Sequence, residues 1–174
     1  MAKPQSGSYP AMFDNYIKLV SEEDAIAALQ NQENIISDFF PGIQPERADY
    51  AYAPGKWTLK EMLQHIIDAE RVFNYRALAI ARGETQSLPG FDENLYAANS
   101  FGIKREWQDL CNEFRCLRES TIYMFKGFDP TVFSNSGISN NNRITVDALA
   151  FITVGHVYHH RNIIEERYVA EVPL

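Results

Sequence analysis

Residues 145–168 read TVDALAFITVGHVYHHRNIIEERY, and three of the four histidines of the chain lie in this one stretch. Apolar residues and histidines recur every three or four positions along it, which is the spacing of one face of an α-helix. The residues of this face are Leu149, Ile152, His156, His160, Ile163 and Arg167. The stretch therefore predicts a core-facing helix that begins after an N-cap at Thr145 and carries histidine where apolar residues normally stand.

Three other segments show helical periodicity of the same kind. Together with the stretch above, the predicted helices cover about residues 21–40, 58–82, 104–126 and 145–168. The second of them opens with Thr58-Leu59-Lys60-Glu61, the pattern of a capping box, in which a threonine and a glutamate satisfy free backbone N–H groups. Four helices of about five to seven turns each, with no strong strand pattern, predict an all-α protein with a four-helix bundle.

The segments between the helices are long and rich in turn-forming residues. Residues 41–56 and 83–103 are long connections, and the second is long enough to cross over the bundle. The order of the helices around the bundle therefore stays open. Residues 131–144 contain several asparagines and serines beside Gly137, which is compatible with a short β-hairpin before the last helix.

Length and charge limit the classes of protein to which the chain can belong. A length of 174 residues predicts one domain over residues 1–174, of which 1–15 form an N-terminal extension. The chain has 16 basic and 23 acidic residues and a net charge of −7. Because phosphate binding needs a concentrated basic surface, this balance argues against a nucleic-acid partner.

The chain has the features expected of a cytoplasmic protein. No apolar run approaches the roughly 20 residues of a membrane span, and residues 1–7 lack the apolar segment of a secretory signal. Cys111 and Cys116 lie five positions apart in a predicted helix, so they point about 140° apart and should not form a disulfide. We expect two buried free thiols, which suits a reducing compartment.

The histidines are the strongest candidates for a functional site. His156 and His160 are four positions apart and so lie about 40° apart around a helix, where both can face one point. His65 lies beside the apolar stripe of the helix over 58–82 and can complete a triad from a facing helix. Three neutral imidazoles with a free coordination position are typical of a catalytic transition-metal site. The alternative is that each histidine is a core residue hydrogen-bonded to the backbone.

Two further residues are candidates for contacts with these ligands. His159 lies about 100° from His160 around the helix, so we expect it at the surface or behind a ligand rather than on the metal. Asp68 lies one turn beyond His65 and could fix the tautomer of its imidazole, although a solvated acid at this position is the other interpretation. No residue is singled out as a catalytic acid, base or nucleophile.

A longer pattern surrounds the histidines. It comprises the segment Gly55–Asp68 with Trp57-Thr58 before His65, the triplet Phe91-Asp92-Glu93, and the motif His156-x-x-x-His160. This pattern resembles the DinB-like superfamily of bacterial four-helix bundles, which includes YfiT-type bacillithiol transferases, and the resemblance extends over about residues 50–168. It implies a divalent ion, such as nickel, zinc, manganese or iron, bound by His65, His156 and His160.

The resemblance also implies a class of function. The expected activity is that of a metal-dependent transferase that activates a low-molecular-weight thiol for conjugation to an electrophile, in detoxification or a stress response. Three neutral ligands alone are equally compatible with a metal-dependent hydrolase, and a non-catalytic, stress-related metal-binding bundle is a third interpretation. The expected partners are a small thiol, an electrophile and a second copy of the chain, because related bundles pair and two-fold dimers are the commonest soluble oligomers.

Overall fold

The bundle predicted from the sequence is present in the computed structural model. The α-helices, in chain order, are α1 (Asp14–Lys18), α2 (Ala25–Asp38), α3 (Leu59–Ala81), α4 (Glu93–Ser100), α5 (Trp107–Lys126) and α6 (Val146–Ile164). The four long helices α2, α3, α5 and α6 correspond to the four predicted helices and pack together as a bundle. The prediction of an all-α four-helix bundle is therefore confirmed.

The structure describes residues 2–169. The predicted single domain over residues 1–174 extends beyond this range, since Met1 and residues 170–174 lie outside the described residues, and it stays a prediction. Among the described residues, none of the helices is long and apolar enough to cross a membrane.

Consecutive helices of the bundle are not all neighbours. α2 packs mainly against α5 and α6, and α3 packs mainly against the same two helices. α2 and α3 therefore face each other across a diagonal, so residues 39–58 cross the bundle. The connection over 83–103 is long enough to cross the bundle, but it joins the neighbouring helices α3 and α5. Part of its length forms α4, which packs on α3.

The ends of the helices follow local capping chemistry. α3 begins with the predicted capping box, in which Thr58 accepts from the backbone of Glu61 and the Glu61 carboxylate accepts from the backbone of Thr58. α2 begins later than predicted, because the Asp24 carboxylate accepts from the Ala27 N–H at 2.8 Å, whereas the Ser21 hydroxyl contacts Glu22. α6 is followed by a π-helical turn at Glu165–Val169.

A β-hairpin precedes α6 in the segment where one was predicted. Its strands are β1 (Ser136–Ser139) and β2 (Asn142–Thr145), which pair antiparallel. Asn140 and Asn141 form the two-residue turn with φ of 49° and 62°, a left-handed conformation that asparagine tolerates better than most residues. The hairpin is fixed to the preceding connection, because the Leu88 N–H donates to the Ile138 carbonyl and the Asn140 N–H donates to the Leu88 carbonyl.

The two cysteines are free, as predicted, but only one is buried. Cys111 on α5 faces the core of the bundle, and burial raises the pKa of its thiol to about 12. Cys116 is exposed, because five further residues of helix turn it towards solvent. The expectation of two buried thiols is therefore wrong for Cys116.

A buried polar network ties the four long helices together. The Arg118 guanidinium of α5 donates to both carboxylate oxygens of Glu70 on α3, at 3.0 and 2.7 Å, and also to the side-chain carbonyl of Gln32 on α2. The amide of Gln32 donates in turn to the carbonyl of Val154 on α6 at 3.0 Å, and the Thr121 hydroxyl donates to Glu70. Arg118 is 0% exposed and Glu70 1%, so water cannot replace these partners.

Removal of one charge from this network should destabilise the fold strongly. In Glu70→Gln the shape of the side chain is retained, but the buried guanidinium loses its counter-charge, which costs about 3–5 kcal/mol of unfolding free energy. The same substitution at Glu165, whose side chain is 43% exposed and pairs with Arg161, is the matched control and should cost below about 1 kcal/mol. Urea unfolding measures both variants, and equal midpoints for Glu70→Gln and wild type would contradict the role of the network.

Candidate metal centre

Three histidines converge where α3 packs against α6. The Nε2 atom of His156 lies 3.1 Å from Nε2 of His65 and 3.0 Å from Nε2 of His160. All three side chains are buried, with exposed fractions of 8% for His65, 4% for His156 and 7% for His160. The residues that the sequence singled out as ligands are thus brought to one point from two facing helices.

The arrangement of the nitrogens fits a shared cation. An imidazole nitrogen carries either a proton or one lone pair, so Nε2 of His156 cannot form two ordinary hydrogen bonds with its two histidine neighbours. Two nitrogens that share one ion at about 2.0–2.1 Å lie roughly 3 Å apart, which agrees with the separations of 3.0 and 3.1 Å. Ligand atoms of the three residues all lie within 4.8 Å of one another. The donor set therefore suits a divalent transition metal.

Burial keeps these imidazoles neutral. It lowers the pKa of His65 to about 4, with the Glu93 carboxylate acting in the opposite direction. Burial also holds the pKa of His156 and of His160 well below 6.5, and the neighbouring imidazoles add to this effect. Since only the neutral form of histidine binds a metal, all three residues are available as ligands at neutral pH.

Aromatic side chains hold the rings of the triad in place. The ring centroids of Trp57 and His65 are 4.8 Å apart, and Phe73 meets His156 edge-on at 5.7 Å. The carbonyl of Trp57 accepts a hydrogen bond of 2.6 Å from the hydroxyl of Tyr168 in the π-helical turn. The segment before α3 is therefore anchored to the end of α6, and Trp57 is positioned against a ligand.

Asp68 does not make the contact with His65 that the sequence suggested. Its carboxylate accepts from the Gln64 amide at 3.0 Å and lies 3.7 Å from the Arg71 guanidinium. Asp68 is three residues from both His65 and Arg71 and four from Gln64, so helical spacing allows a contact with any of them, and the carboxylate makes those with Gln64 and Arg71. These contacts favour the interpretation of Asp68 as an acid that pairs along its own helix, and a role in fixing the tautomer of His65 stays a prediction.

His159 lies beside the triad rather than in it. It is partly exposed, and its ring centroid lies 5.1 Å from that of Tyr16 and 5.0 Å from that of His160. Its ring nitrogens are outside the group of converging ligand atoms. This position behind a candidate ligand is the one that the helical spacing predicts.

The triad opens onto a cavity of about 310 Å³. Most of the wall is apolar or aromatic, and it includes Phe13, Tyr16, Trp57, Ala69, Phe73, Phe91 and Ile144. The polar side chains of the wall, besides the histidines, are Arg76, Glu93, Ser139, Asn140 and Asn142. The imidazoles therefore face a pocket that can hold a small organic molecule largely out of water.

The N-terminal segment forms one wall of this cavity, which sequence reasoning missed. Residues 1–15 are predicted to be an extension, yet Pro10, Met12 and Phe13 line the cavity, and the adjoining α1 packs on α6 and adds Tyr16 to the wall. A Cβ added at Gly155 would lie 2.1 Å from the Tyr16 carbonyl oxygen, so this glycine allows the close approach of α1. A glycine in the middle of a helix, directly before His156, was the available signal.

The sequence model of the DinB superfamily matches residues 28–164, a range that contains all three histidines. The chain belongs to the DinB superfamily. Among solved structures, this DinB chain is similar to YfiT from Bacillus subtilis with a TM-score of 0.67 and 17% identity, over 94% of this chain and 90% of that one. YfiT is described as a probable metal-dependent hydrolase with an unusual four-helix bundle topology. No curated protein matches the chain.

The close approach of α1 to α6 predicts an unusual response of this DinB chain to Gly155→Ala. Glycine to alanine inside a helix ordinarily stabilises a protein by roughly 1 kcal/mol. Here the new methyl group would overlap the Tyr16 carbonyl, so we expect a loss of about 1–3 kcal/mol. Thermal unfolding gives the sign, and hydrogen exchange should accelerate at residues 11–18. A stabilised variant with unchanged exchange there would contradict the packing of α1 on Gly155.

Proposed function

We propose that the protein is a metal-dependent transferase that joins a low-molecular-weight thiol to an electrophile. In this proposal His65, His156 and His160 hold a divalent transition metal, with nickel, zinc, manganese and iron as candidates. The observation that carries it is the convergence of three buried, neutral imidazole nitrogens at one end of a largely apolar cavity. The description of YfiT as a probable metal-dependent hydrolase supports the metal dependence.

The chemistry needs an activated sulfur and a dry site for the electrophile. A divalent ion with neutral ligands retains its full charge and lowers the pKa of a thiol or water that it binds. The aromatic walls formed by Phe13, Phe73 and Phe91 exclude water and accept an apolar electrophile. The thiolate lone pair forms the new S–C bond, the leaving group departs with its bonding electrons, and the thiol proton passes to solvent.

Hydrolysis is the second candidate, because a carboxylate lies in the same cavity. Glu93 lines the wall, and its charge acts on both His65 and Tyr16. A carboxylate close to a metal site can take a proton from the attacking water as a general base. The activity described for YfiT favours this alternative as well.

Metal binding can be tested separately from catalysis. We expect His65→Ala, His156→Ala and His160→Ala each to weaken binding of nickel or zinc by more than about 100-fold, because each removes a ligand. His159→Ala is the matched control on the same helix and should retain the metal. Elemental analysis of untagged protein after dialysis, with calorimetry, measures the affinity. Wild-type metal content in His160→Ala would contradict the triad.

The two activities can be distinguished on metal-loaded protein. We expect conjugation of small thiols to 1-chloro-2,4-dinitrobenzene, abolished by chelator and in His156→Ala, and restored by added metal in wild type only. Hydrolysis of nitrophenyl esters without any thiol, lost in Glu93→Gln, would instead favour the hydrolase. Metal binding without turnover in either assay would overturn both and leave a non-catalytic metal-binding bundle.

A further inference from the structure

The cavity has a second end, marked by Arg76. This residue is eleven positions after His65 on α3, which brings it back to nearly the same face of the helix, three turns away. At 1.5 Å per residue the two positions are about 16 Å apart along the helix axis. Both side chains line the same cavity, with Ala69 and Phe73 between them on the wall. The lining of the pocket therefore spans about three turns of α3, from the histidines to a cation.

The guanidinium of Arg76 is buried without a counter-charge. Its side chain is 6% exposed, and none of the ion pairs among residues 2–169 includes it. Nη2 donates to the carbonyl of Pro89 at 2.9 Å, and the guanidinium carbon lies 5.7 Å from the centre of the Phe91 ring. A guanidinium has five N–H donors and stays charged at neutral pH, so most of its binding capacity is unused.

A second unused donor lies on the same wall. The hydroxyl of Ser139 is buried and has no hydrogen-bond partner among the described residues. Ser139 ends β1 and pairs with Leu88, the residue before the proline that accepts from Arg76. A Cβ at Gly90 would lie 2.6 Å from Oδ1 of Asn140, so the hairpin and this loop are in close contact. Arg76 and Ser139 are thus both held by the loop over residues 88–90.

Buried, unpaired donors of this kind are costly in a fold unless a ligand uses them. An uncompensated buried charge destabilises a fold, and a buried hydroxyl without a partner adds to that cost. Glu93 lines the same cavity but is exposed, and its charge acts on His65 and Tyr16 at the histidine end. The Arg76 end therefore has an unmet positive charge.

We infer that Arg76 and Ser139 form a subsite for a carboxylate group, carried by an elongated substrate whose apolar middle lies against Phe73 and Phe91. A guanidinium binds a carboxylate through two parallel N–H···O bonds, and the serine hydroxyl can donate a third. One cation and one hydroxyl suit a monoanion. The subsite rests on the proposed function, because it assigns a carboxylate to the end of the substrate that lies away from the histidines. Binding of that carboxylate needs no metal.

The subsite is tested with a pair of ligands that differ only in charge. The probes are 4-phenylbutyrate and its neutral amide, titrated by calorimetry at pH 7.5 into the full-length chain treated with chelator, so that the carboxylate cannot bind a metal. We expect the acid to bind at least about tenfold more tightly than the amide. Arg76→Gln should abolish this preference, and Ser139→Ala should reduce it by a smaller factor.

The control is Arg82→Gln, which alters an exposed arginine at the end of the same helix and should leave the preference unchanged. Thermal unfolding of each variant identifies any that fails to fold. If Arg76→Gln does not fold, Arg76→Lys replaces it. We then expect a weaker preference for the acid over the amide, because lysine cannot form the two parallel bonds to a carboxylate. Equal affinity of wild type for acid and amide, or a preference that persists in Arg76→Gln, would overturn the subsite.

A kinetic comparison identifies which substrate carries the carboxylate. Glutathione is compared with its diethyl ester, and 4-(bromomethyl)benzoate with 4-(bromomethyl)benzamide, using metal-loaded wild type and Arg76→Gln. A rise in KM confined to the acid of one pair assigns the anion to the thiol or to the electrophile. Turnover with no Arg76-dependent difference in either pair would overturn the subsite. Because the calorimetry uses metal-free protein, it decides the subsite even if no turnover is found and the proposed function fails.

Discussion

The buried ion pair between Arg118 and Glu70 is the constraint on which the arrangement of the bundle depends. A charge inside a protein must be matched by a partner at short distance, so the pair and its extension through Gln32 fix the relative positions of all four long helices. Gln32 reaches the carbonyl of Val154, two residues before His156. The network that holds the core together therefore also sets the register of α6 against α3, which brings the histidines to one point.

Much of the fold could be predicted because its signals are local. The capping box at Thr58 and the four-residue spacing of His156 and His160 depend only on neighbours along one helix, and both are found as predicted. To predict that His65 joins these two residues required one further assumption, namely that the inward faces of two helices meet in the core of the bundle. The start of α2 was predicted too early, because Ser21 and Asp24 are two possible N-caps within a few residues and the helix uses Asp24.

The remaining features depend on contacts between distant parts of the chain. Asp68 turned out to pair with Gln64 and Arg71, because a helix offers an acid several partners and the sequence does not rank them. The cavity wall formed by α1 and the unpaired charge of Arg76 follow from tertiary packing alone. The homodimer, the identity of the metal, the thiol and electrophile, and the cytoplasmic location stay predictions.

The central hypothesis is that one ion is shared by three imidazoles. X-ray absorption at the metal edge of the nickel- or zinc-loaded protein measures this directly, because multiple scattering from imidazole rings reports their number around the ion. We expect three imidazole nitrogens at about 2.0–2.2 Å in wild type and two in His160→Ala. A wild-type spectrum with fewer than three imidazoles, or a spectrum unchanged by His160→Ala, would contradict the hypothesis.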